Sequence, residues 1–160
     1  MQTHIPSGPP PYAGRCLCGH VEYLLLKEPR TFYACHCTDC QKRSGSAFRL
    51  VMPVDRDALV VTKGDTALKV FASNGRSRRA RACPHCDTRL WAEPADRPAE
   101  ALVLPGTLDR GSEFTPIAHL WTRSAAGWIS FPADAVRYDT HPPDGMNELI
   151  RLWQARSRGN

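Results

Sequence analysis

The chain has 160 residues, of which 42% are hydrophobic and 23% charged, with a formal net charge of +5. That length fits one domain with a modest core, and 11 glycines with 14 prolines favour short strands and turns over long helices. No stretch approaches the roughly 20 apolar residues of a membrane span.

Residues 1–13 are polar and proline-rich, with Pro9-Pro10-Pro11, and read as a flexible or extended arm. They carry neither a basic start nor an apolar stretch, so no secretory signal is expected and a cytoplasmic location follows. Residues 14–160 read as a single zinc-binding domain. Its apolar runs are punctuated by Gly, Pro and Asp: Val21–Leu26, Ala47–Met52, Ala58–Thr62, Ala67–Ala72, Ala101–Leu104, Ile117–Trp121 and Gly127–Phe131. These predict strands, and a mainly β fold. Near the C-terminus, Leu149, Leu152 and Trp153 recur at helical spacing after Asn147, a capping residue type, which predicts a short packed helix.

The seven cysteines carry most of the information. A reducing compartment disfavours disulfides, an odd count strands one thiol, and the Cys-x-Cys pairs are too close to bridge without strain. Metal binding is the better reading. Cys16-Leu17-Cys18 and Cys83-Pro84-His85-Cys86 are two-sulfur knuckles that together make a closed tetrahedral S4 site. Between them, Cys35-His36-Cys37-Thr38-Asp39-Cys40 supplies three thiols, enough to bind one zinc and leave its fourth position open. Spacing leaves other divisions open: Cys16 and Cys18 joined to the central thiols, or one structural zinc with three spectator thiols. The second leaves three adjacent thiols as an oxidation liability without return. Seven thiolates and two zinc ions change the charge by −3, bringing +5 to +2, so the apparent basicity is a weak argument for nucleic acid.

The order GRCLCG, ACHCTDCQKRSGSAF, ACPHCDTRLW, GTLD and HLWTRS, followed by a further Trp, resembles the glutathione-dependent formaldehyde-activating enzyme family, which also includes centromere protein V. The likeness runs from about Gly14 to Phe131. It implies a zinc-braced, mostly antiparallel β fold of the β-tent type. It also implies a structural zinc on Cys16, Cys18, Cys83 and Cys86, and a catalytic zinc on Cys35, Cys37 and Cys40. The family usually has Gly after the last knuckle where this chain has Asp87, a residue that tolerates left-handed backbone better than most.

Other residues carry weaker signals. His36, inside the triple-cysteine turn, is a candidate ligand, hydrogen-bond partner or proton shuttle, with packing as the simpler reading. His20 and His85 read as exposed loop residues, and His119 and Trp121 as a buried strand pair. In the basic run Arg76, Arg78, Arg79 and Arg81, strand parity puts Arg79 and Arg81 on one face, available to thiolates or a substrate carboxylate. Lys42 and Arg43 are candidates to receive an anionic ligand.

The leading functional expectation is a zinc-dependent carbon–sulfur lyase or synthase acting on thiol–aldehyde adducts like S-hydroxymethylglutathione. Its partners are a small thiol such as glutathione and a small aldehyde such as formaldehyde, with no nucleic acid and no membrane. The alternatives are a non-catalytic zinc-braced interaction module and a thiol-based redox or zinc sensor. Oligomeric state is left open.

Overall fold

The computed structural model describes residues 8–73, 76–133 and 135–157. Two sheets make up the fold. The smaller contains β1 (Tyr12–Arg15), β2 (Glu22–Leu25) and β5 (Leu59–Lys63), antiparallel in the order β1-β2-β5. Alternation sets their faces: Tyr12, Tyr23 and Leu25 point into the core, while Ala13, Arg15 and Leu26 face out. β1 begins at Tyr12, inside the segment expected to be an arm, because this tyrosine is core material. Its ring meets Phe114 edge-on at 5.3 Å.

The larger sheet adds β3 (Tyr33–Cys35), β4 (Arg49–Asp55), β6 (Ala67–Ser73), β7 (Arg76–Ala82), β8 (Arg89–Glu93), β9 (Glu100–Val103), β10 (Ala118–Leu120) and β11 (Val136–Tyr138). Their order is β11-β10-β3-β4-β9-β8-β7-β6. Most neighbours are antiparallel, as expected, but β10 runs parallel to both β3 and β11. Pro53 sits within β4 without breaking it. The ladder to β3 ends at Val51, so no strand there needs the N–H that Pro53 lacks; its carbonyl accepts the Arg30 N–H at 2.9 Å, and Leu102 of β9 lies on the other side.

Between β3 and β4 lies α1 (Thr38–Ser44), capped by Gly45 in the left-handed region (φ 65°), whose N–H reaches the Gln41 carbonyl at 2.9 Å. The C-terminal helix α2 (Met146–Ser157) forms as the periodicity predicts. Leu149 and Trp153 are buried, and the Thr31 hydroxyl donates to the Leu149 carbonyl at 3.0 Å. Asp144, rather than Asn147, supplies the side-chain acceptor at its start, taking the Glu148 N–H at 3.0 Å. The expected strand at Gly127–Phe131 is a turn instead: the Ile129 N–H closes on the Ala126 carbonyl, and Trp128 projects into solvent.

One core packs most of these elements together, centred on Tyr23, Phe32, Met52, Leu90, Trp91, Ile117 and Leu120, with β6 and β7 outside it. Tyr23 meets Trp91 edge-on at 5.8 Å and lies directly over Gly14, where a Cβ would come within 2.4 Å of its ring. Glycine is required there for contact, not for its torsions. Among the described residues no helix is long and apolar enough to cross a membrane.

Candidate metal centres

The fold gathers the cysteines into the two groups that the motifs suggest. None of the seven is in a disulfide. The sulfurs of Cys16, Cys18, Cys83 and Cys86 lie within 4.8 Å of one another, as do those of Cys35, Cys37 and Cys40.

The four-sulfur group is made by two turns. The Gly19 N–H closes the first on the Cys16 carbonyl at 3.1 Å, and the Asp87 N–H closes the second on the Cys83 carbonyl at 3.1 Å. Both closing residues are left-handed: Gly19 has φ 74° and Asp87 φ 56°. Asp87 thus holds the conformation for which glycine is the ordinary choice. The Val21 N–H donates to the Cys16 sulfur at 3.2 Å, and the Thr88 hydroxyl lies 3.1 Å from the Cys86 sulfur. This contact with Thr88 brings the Cys86 thiol down to about 5. The same Thr88 oxygen accepts the Leu17 N–H at 3.1 Å, tying one turn to the other. Cys16–Cys18 and Cys18–Cys83 sulfur separations are 3.6 and 3.7 Å. A tetrahedron with metal–sulfur bonds of about 2.3 Å has edges of about 3.8 Å, so the group fits a thiolate-bound zinc-sized ion. Beside it, His20 and His85 stack at 4.0 Å, and His20 Nε2 lies 3.0 Å from Asp65. Neither imidazole belongs to the sulfur group.

The three-sulfur group arises where β3 runs into α1. Cys35 ends the strand, Cys37 caps the helix by accepting the Cys40 N–H at 3.4 Å, and Cys40 sits in the first turn. Gln41 Nε2 donates to the carbonyls of His36 and Ser124, both at 2.7 Å, and the Ser124 hydroxyl donates to His36 at 3.0 Å. These bonds fix the bend that presents the sulfurs. Hydrogen bonds from Cys35 and Cys40 hold the Cys37 thiol well below its ordinary range, and the converse bonds, with burial, push Cys35 up. The trio therefore carries one thiolate readily and needs a cation to carry three.

Strand parity settles His36. Cys35 and Cys37 face one way and His36 the other, fully buried, with Nε2 3.0 Å from His119 Nδ1 and ring contacts to Phe48 and Phe131. Burial lowers both imidazoles, His119 to about 4. Of the His119–Trp121 pair, His119 packs on this cluster while Trp121 faces the sulfurs' side.

The three sulfurs open onto a cleft of about 680 Å³. Its walls include Tyr33, Leu102, Trp121, His141 and Met146, together with Arg43, Arg49, Arg78, Arg97 and Arg123. Trp121 adopts φ 59° and ψ 40°, an unusual torsion for a large side chain, and its ring is covered by the Arg123 guanidinium at 4.8 Å. Arg79 and Arg81 do share a face, but they pair with Glu93 at 3.6 and 2.8 Å. It is Arg78, of the opposite parity, that reaches the cleft. Arg49 was missed by sequence reasoning, although an arginine opening an apolar strand run was a usable signal.

A family model for the glutathione-dependent formaldehyde-activating enzyme matches residues 11–124. A Penicillium rubens protein, provisionally named as such an enzyme, is 28% identical over 97% of this chain and 79% of its own length. An Emericella nidulans protein with the same provisional name is 32% identical over 57% of this chain and 48% of its own length. A Rhodobacter sphaeroides protein of known crystal structure superposes with a TM-score of 0.46 and 21% identity, covering 61% of this chain and 88% of that one. The chain belongs to the glutathione-dependent formaldehyde-activating enzyme family.

Proposed function

We propose that this protein makes and breaks the carbon–sulfur bond between a small thiol, such as glutathione, and formaldehyde or a similar small aldehyde, acting as a carbon–sulfur lyase. The observation that carries this reading is the set of three convergent sulfurs, Cys35, Cys37 and Cys40, on the wall of an open cleft. Membership of a family named for this activity supports it. In this reading Cys35, Cys37 and Cys40 hold a catalytic zinc, while Cys16, Cys18, Cys83 and Cys86 hold a structural one. Zinc on three thiolates supplies a Lewis acid with one open coordination position.

The reaction itself is an addition. The thiol sulfur bonds to the carbonyl carbon, the carbonyl π pair moves to oxygen, and the thiol proton ends on the new hydroxyl. The chain's own contribution is to hold the reactants together. Gln41 and Ser124 hold the cysteine bend rigid. Burial raises the Tyr33 phenol, so it stays protonated and offers an O–H donor to the cleft. Trp121, Leu102 and Met146 provide the apolar wall. A reducing cytoplasmic setting belongs to this reading, since it keeps seven thiols available.

Exchange spectroscopy on a glutathione–formaldehyde mixture tests the proposal. Zinc-loaded protein is expected to raise the rate of interconversion between free thiol and adduct, and Cys37→Ala to abolish the increase. An interconversion rate that stays at its spontaneous value with fully loaded protein would sink the enzymatic reading.

A further inference from the structure

The guanidiniums of Arg43, Arg49 and Arg78 crowd one end of the cysteine cleft, with Arg89 behind them in a hollow that Arg43 and Arg49 also line, and among the described residues none of the four forms an ion pair with a carboxylate. Neighbouring arginines are matched: Arg97 with Glu100 at 2.8 Å, and Arg81 with Glu93 at 2.8 Å. Arg49 is 6% exposed, and its Nε and Nη2 have no hydrogen-bond partner. The same holds for Nε and Nη2 of Arg43 and for Nε of Arg78. The Arg89 guanidinium spends a donor on the Arg43 carbonyl at 3.0 Å, which fixes Arg43's backbone without supplying charge. Buried donors of this kind are normally satisfied.

The cysteines do not supply the missing charge. Three thiolates around a divalent ion carry a net −1, against four positive charges. The cluster is strained electrostatically as it stands: burial first, then Arg49 and Arg89, push the Arg43 guanidinium down to about 10. A second hollow of about 530 Å³ adjoins the cleft and shares Arg43, Arg49 and Arg78 with it, so the arginines stand between two open spaces.

We infer that Arg43, Arg49 and Arg78 form an oxyanion subsite beside Cys35, Cys37 and Cys40, which receives a carboxylate of the thiol substrate and selects acidic thiols over neutral ones. This inference rests on the thiol-binding reading of the cysteine site and adds what fixes the far end of the thiol. A carboxylate offers two oxygens with about four acceptor directions, and a guanidinium presents paired N–H groups to match. Arg43 and Arg78 are half-buried, the Arg43 guanidinium lying over the Phe71 ring at 4.4 Å, while Arg49 is buried in β4. Asp39 and Asp96 line the same cleft, and among the described residues no ion pair joins Asp96 to Arg43, Arg49 or Arg78.

The test is a set of calorimetric titrations of the zinc-loaded protein, wild type and Arg49→Gln. S-methylglutathione is the carboxylate probe, N-acetylcysteamine the carboxylate-free thiol, and inorganic phosphate the alternative oxyanion. Arg49→Gln is expected to weaken S-methylglutathione by roughly 10- to 100-fold, the range of a charged hydrogen-bond pair, and to leave N-acetylcysteamine unchanged. Equal binding of S-methylglutathione by both proteins overturns the subsite. So does tighter binding of phosphate than of S-methylglutathione, which would make it a phosphate site. If S-methylglutathione depends on Arg49 but N-acetylcysteamine does not bind at all, the subsite stands and the thiol reading of the cysteines fails. Arg78→Gln, in a half-buried position, repeats the comparison with the same expected direction, so the result does not hang on whether Arg49→Gln folds.

Discussion

At Asp87 the chain carries a side chain where the turn geometry asks for none. Its φ of 56° costs an L-residue about 1–2 kcal/mol, less for Asp and Asn, and the exposed pair with Lys69 at 3.1 Å returns little. Asp87→Val is therefore expected to lower stability by about 1–2 kcal/mol and Asp87→Asn to change it by a few tenths, measured by urea denaturation with zinc in excess. Equal effects of the two would remove the torsional explanation. The pair of buried His36 and half-buried His119 gives a second residue-scale expectation. Burial, then His36 and Arg137, hold His119 at about 4 when folded, against 6.5 unfolded. The unfolded chain thus binds the proton first, so the contribution is complete above pH 6.5 and is lost as pH falls toward 4. Replacing His119 with Gln should flatten the stability–pH curve in that window, and superimposable curves for the two proteins would contradict it. The role of His36 was not legible from its neighbours in sequence. Lying between two cysteines, it was a candidate ligand, and only the two-residue period of a strand turns it away from them.

The elements most visible in the sequence are those with a strong period. Helix α2 was legible because Leu149 and Trp153 must face the core, and the knuckles because two cysteines flank a tight turn. Helix α1 was not, since its seven residues bury nothing and carry no apolar stripe. Its signal was the cap: Cys37 and Gly45 bracket it, but a cysteine cap is hidden when every cysteine is already read as a ligand. β10 falls within the strand expected at Ile117–Trp121, but its parallel pairing with β3 and β11 is encoded by no local pattern, and neither is the three-residue β11 itself. Where elements meet, one contact is testable directly. Gly14 of β1 lies under the Tyr23 ring of β2, which is itself braced on Trp91 and bonded to Thr107 at 2.7 Å. Gly14→Ala should cost about 1–3 kcal/mol by overpacking, seen as a lower urea midpoint at an unchanged slope. An unaltered midpoint would mean that the Tyr23 ring can move off Gly14 without loss of packing.

Across the whole molecule, the two sulfur groups come from opposite kinds of structure. The four-sulfur group draws on turns 65 or more residues apart, so whatever it holds clamps the small sheet's first turn to the β7–β8 connection. The three-sulfur group comes from one bend and clamps nothing; it faces a cleft instead. This division explains why composition alone was a poor guide to partners. Five arginines line the cleft beside the three cysteines, so part of the positive charge stands next to thiolates. It also makes the central claim countable. Native mass spectrometry of the zinc-loaded wild type should find two zinc ions per chain, and of Cys37→Ala one, with the fold retained by circular dichroism. A single zinc in fully loaded wild type, or loss of both ions and of the fold in Cys37→Ala, would contradict the division into a closed site and an open one.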